Sequence, residues 1–159
     1  MTMEKIYRPG AIGALIDEYE RVGVELKNLL STLNQEEFIK IRDPYTSDED
    51  CRSIQSIIKH VLAAGYRYVD QICVFLNKPI ENHNYHIYNL VHAIEEFEDL
   101  IRDTEKTVSS NLQMTKEEIL ATRMDTRWGF YDIEMMLEHA IVHVLRHRRQ
   151  IEKFLSLSR

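Results

Sequence analysis

The chain has 159 residues, enough for one domain spanning residues 1–159 with a single sizeable core. Only 5 Gly and 3 Pro stand against 44% hydrophobic residues, which favours an all-α protein over a sandwich or a disordered chain. A net charge of −6 with no long basic run argues against nucleic acid, and Asp17, Glu18, Glu20 and Arg21 interrupt the early apolar residues, so no leader or membrane segment is expected and the expected compartment is the cytoplasm.

Apolar residues at three- and four-residue steps predict four long amphipathic helices. The first runs from Ala11 to Thr32 on Ile12, Leu15, Ile16, Tyr19, Val22 and Leu26. The second follows Ser47, which with Asp50 matches a capping box, and ends at Asn77, Lys78 and Pro79. The third spans Tyr85 to Val108 on Ile87, Leu90, Ile94, Phe97 and Ile101. The fourth starts near Tyr131 and continues through Leu155. Helices of this length, each with one apolar face, bury those faces most simply in a four-helix bundle. Residues 33–46 and 109–130 are long connections after helices one and three, allowing crossovers, whereas about eight residues join helices two and three. Thr115 and Glu118 predict a further short helix, and no strand pattern competes. Cys51 and Cys73 form no CxxC motif and read as ordinary buried thiols.

The stretch EHAIVHVLRHRRQI, residues 138–151, spaces His139, His143 and His147 by four. His143 and His147 fall on the flank of the fourth helix's apolar face, about 6 Å apart along the axis, as HxxxH requires to share one metal ion. His139 points farther toward solvent and is the weakest ligand of the three. His60, on the flank of the second helix and one turn before the small Ala64, offers the third anchor. Three imidazoles suit zinc or nickel, with iron or manganese as alternatives, and leave a position open. Histidines at a core edge also serve as hydrogen-bonded structural residues, so a non-catalytic bundle remains open. His92 and Glu96 project into solvent, and no Glu precedes a His by three residues, which argues against a dinuclear iron site. His83 and His86 lie at a solvated turn or near the mouth of the site.

HVLRHRRQI, preceded by TRWGFYDIEMMLEHAIV, together with His60, resembles the DinB/YfiT-like family of metalloenzymes. The resemblance covers the whole chain in outline. It implies a four-helix bundle with His60, His143 and His147 as ligands, with Arg149 standing where relatives often have glycine. It further implies a thiol such as bacillithiol, mycothiol or glutathione as a cofactor in some members.

Three neutral ligands leave the full divalent charge on an ion, which acidifies a bound thiol or water for transfer or hydrolysis. Gln150 and Ser56, each one turn from a ligand, are placed to accept a ring N–H. Arg67, two turns beyond His60, is placed to take a carboxylate of a thiol cofactor or small-molecule substrate. Met135, Met136 and Trp128 are candidates for an apolar lining. Glu134 and Glu138 project to the opposite flank, and no general acid or base stands out. Long exposed helix faces make a homodimer plausible.

Overall fold

The computed structural model describes residues 6–157. Its four long helices are α1 (Gly10–Leu30), α3 (Ile54–Phe75), α4 (Leu90–Val108) and α6 (Ile133–Ser156). Two short helices, α2 (Gln35–Ile39) and α5 (Lys116–Ala121), lie in the connections. A small antiparallel hairpin pairs β1 (Met124–Thr126) with β2 (Gly129–Tyr131). The described chain is thus mostly helical, as composition and periodicity predict.

Packing explains the unequal connections. Helix α1 packs against α4 and α6, and α3 packs against the same two, so the ring of neighbours runs α1, α4, α3, α6. Residues 31–53 and 109–132 each join helices that are not neighbours in that ring, and the extra length spans the crossing. Ile12, Val22 and Leu26 of α1, Ile57, Ile58 and Leu62 of α3, Leu100 of α4 and Met136 and Leu137 of α6 are wholly buried. Gly65 leaves room on α3 for the Leu100 side chain of α4, since a Cβ there would lie 2.3 Å from Leu100 Cδ2.

Several boundaries differ from those expected, each for a local reason. Ser47 and Asp50 do not open α3. Asp48 instead caps a 3-10 turn at Glu49–Cys51, and α3 begins behind a reciprocal cap between Ser53 and Ser56. Helix α4 begins at Leu90 rather than Tyr85, because the Asn89 side chain accepts from the His92 N–H and residues 76–89 form a non-helical connection longer than periodicity suggests. Thr115 and Glu118 cap α5 as expected. The hairpin at 124–131 replaces a loop and the expected first turn of the last helix. It closes through Gly129 at φ +121°, a conformation that L side chains rarely adopt.

Candidate metal centre

His60 sits two turns into α3, and its placement starts with the Ser53 cap, which fixes where the helical register begins. His143 and His147 are placed likewise by Asp132, a buried N-cap whose carboxylate accepts from Met135 N at 3.0 Å and from Arg123 at 2.6 and 3.1 Å. Packing of α3 on α6 brings the three rings together, with centroids 4.5–5.0 Å apart. Each ring offers one nitrogen, and these three atoms lie within 4.8 Å of one another. His60 Nε2 and His143 Nε2 face each other at 3.0 Å.

The outer nitrogens are occupied. His60 Nδ1–H donates to Asp50 Oδ2 at 3.1 Å, and His147 Nδ1–H donates to Gln150 Oε1 at 3.0 Å. Those tautomers turn the Nε2 lone pairs of His60 and His147 toward the cluster. Gln150 therefore stands where sequence places it. Ser56 does not contact His60: its hydroxyl bonds to Ser53 and completes the cap of α3. Asp50, in the 3-10 turn, takes that place. Within the same turn Cys51 donates its S–H to Asp48 Oδ2 at 3.3 Å.

Burial favours the neutral form of the two α6 imidazoles, His143 and His147. Desolvation first, and then the proximity of His147 and His60, push His143 down to about 3, and desolvation likewise lowers His147. Neutral rings are the form that ligates. With the His60 proton on Nδ1, the 3.0 Å contact is an N–H of His143 donating to the His60 Nε2 lone pair, and a cation replacing that proton at Zn–N bonds of about 2.0–2.1 Å would hold the two nitrogens about 3.3 Å apart in a tetrahedral shell. The donor set therefore fits a divalent ion once the three nitrogens, now within 4.8 Å of one another, draw in to that spacing.

His139 lies outside this cluster and is not solvated: it accepts from the Tyr131 hydroxyl at 3.1 Å and packs on Tyr68 and Trp128. His83 is turned away, bonded to Asp70 at 2.9 Å and stacked on Tyr66. His92 is half-buried against Tyr88, and Glu96 accepts from His86 N, so that pair does not simply face solvent. Cys73 is buried as expected, whereas Cys51 is only partly so.

An open groove of about 590 Å³ borders His60, lined also by Lys59, Arg67, Tyr85, His86 and Tyr88. Arg67 is exposed there and forms no ion pair with a described residue. Ala63, rather than the buried Ala64, contributes to this wall. Met136 belongs wholly to the core, Trp128 packs on Tyr68, and Met135 lines a smaller recess beside His143. Glu138 also lines that recess rather than an opposite flank.

The sequence profile of the DinB family matches residues 10–157. A search of curated proteins finds no match. One solved structure similar in fold is described as the conserved protein of locus from Enterococcus faecalis, with 16% identity, a TM-score of 0.56, and coverage of 92% of this chain and 95% of that one. With nearly its whole length matched, the chain belongs to the DinB family.

Proposed function

We propose that this DinB-family chain is a divalent-metal-dependent enzyme built on a four-helix bundle, with His60, His143 and His147 as ligands and a small thiol or water as the activated species. The observation that carries the reading is the convergence of three imidazoles from two helices, two of them oriented from behind by Asp50 and Gln150. Among the described residues no fourth His, Cys or carboxylate joins the group, which leaves room for an exogenous ligand. When bound, the ion supplies Lewis acidity, which favours the thiolate or hydroxide form of that ligand.

The protein's own residues supply the rest. Asp50 and Gln150 hold two rings in the ligating tautomer, and the core beneath them excludes water. Arg67 at the rim of the groove would take a carboxylate of the thiol or substrate, with Lys59 adding positive charge in an otherwise acidic protein. Zinc or nickel suits three nitrogen donors best.

The test is metal content per chain by elemental analysis of untagged protein, followed by reconstitution of the metal-free form with zinc, nickel, manganese and iron. About one ion per chain and a glutathione-transfer or ester-hydrolysis rate that rises with loading are expected. No uptake and no gain in thermal stability would overturn the reading in favour of a non-catalytic bundle.

A further inference from the structure

The facing imidazoles of His60 and His143 border two different hollows. The groove described above lies on the His60 side. On the His143 side, beside the β1–β2 hairpin, a separate recess of about 230 Å³ is lined by Tyr131, Met135, Glu138, Val142, His143 and Arg146. Apart from Tyr131, these residues come from one face of α6.

Their order along the helix is informative. Glu138, Val142 and Arg146 follow one another at four-residue steps, so a carboxylate and a guanidinium mark the two ends of a trough about 12 Å long with an apolar middle. Val142 is 45% exposed although it is aliphatic, and Met135 lies on the same side. Arg146 is exposed and makes no ion pair with Glu138 or any other described residue. The neighbouring Arg148, by contrast, is paired with Glu25 and Glu152. The far wall is rigid: Tyr131 is bonded to His139, whose ring is held by Tyr68 and Trp128.

We propose that this recess is a second small-molecule site, for an elongated carboxylate with an apolar body and a hydrogen-bond donor at its far end. Arg146 takes the carboxylate, Val142 and Met135 carry the apolar body, and Glu138 accepts from the donor. The site deepens the metal reading, and rests on it, in giving the reaction a reactant separate from the thiol held at the Arg67 groove. Both would approach the same pair of imidazoles from different sides. Sequence did not show this because Glu138 and Arg146 look like ordinary solvated charges until the hairpin closes one side of the trough.

Binding of 3-(4-hydroxyphenyl)propionate to the zinc-loaded full chain, followed by calorimetry, tests the site. Wild type is expected to bind one equivalent, Arg146→Gln at least tenfold more weakly, and Val142→Trp, which fills the recess, not measurably. Arg67→Gln and saturating glutathione should each change the dissociation constant less than threefold. Zinc stoichiometry measured on the same samples shows that the variants are folded. No binding by wild type, equal binding by Arg146→Gln and Val142→Trp, or displacement by glutathione would overturn the proposal. If wild type takes up no zinc yet binds the probe in an Arg146-dependent way, the metal reading fails and this site stands.

Discussion

Asp50 offers the sharpest test of the metal centre, because it lies outside α3 and plays no part in that helix's cap. Its Oδ2 accepts from His60 Nδ1 at 3.1 Å, which fixes the tautomer and adds electron density to the ring. Removing such an outer partner costs 10–100-fold in metal affinity in general. Here the carboxylate side chain is 61% exposed and the imidazole 31%, so water screens the pair and can partly replace it. The expected loss for Asp50→Ala is therefore at the low end, about tenfold or about 1.4 kcal/mol. Asp50→Asn keeps a carbonyl oxygen to accept the N–H, and should lose no more than about threefold. Competition against a chromogenic zinc chelator at fixed pH measures both. An Asp50→Ala dissociation constant within twofold of wild type would refute the reasoning, since the orienting bond would then contribute nothing to ligation.

Three further outcomes follow from the same geometry. His143→Ala and His147→Ala should each abolish stoichiometric zinc binding with helical circular dichroism retained, whereas His139→Ala, which removes only a partner of Tyr131, should keep one ion per chain. In the metal-free protein the depressed pKa of His143 makes the unfolded chain the better proton acceptor below the usual value of about 6.5. Stability should therefore be unaffected by this group above that pH and fall steadily as pH drops toward 3. Urea midpoints at pH 7 and 5 should show a smaller difference in His143→Gln than in wild type. Gly65→Ala should destabilise by about 1–3 kcal/mol in urea melts, because the added methyl meets the wholly buried Leu100 side chain, which must shift in a packed core.

The long helices were legible because their apolar residues repeat with the helical period, and the three converging histidines were legible because HxxxH and a lone His at a core edge can be placed on faces by counting. Boundaries were harder. Ser47 and Ser53 both precede acceptable capping partners, and only the path of the preceding turn decides between them. The same turn hid Asp50, ten residues before His60 and off its helix, where no periodicity points to it. Ser56 looked like the ring's partner by spacing, but the cap claimed its hydroxyl first. The three-residue strands at 124–131 are too short to alternate recognisably, and their pairing depends on Gly129 rather than on hydrophobic pattern.

The turn at Glu49–Cys51 is tied to the histidine cluster through Asp50, which bonds to His60. Occupancy of the imidazoles is thereby linked to the order of the crossing strap that leads into the turn, in which Tyr45 stands 95% exposed. Chymotrypsin cleavage after Tyr45 becomes a gauge of loading. The strap is the part of the chain whose local opening an ion suppresses first, so limited digestion would register binding before any change in the global melt.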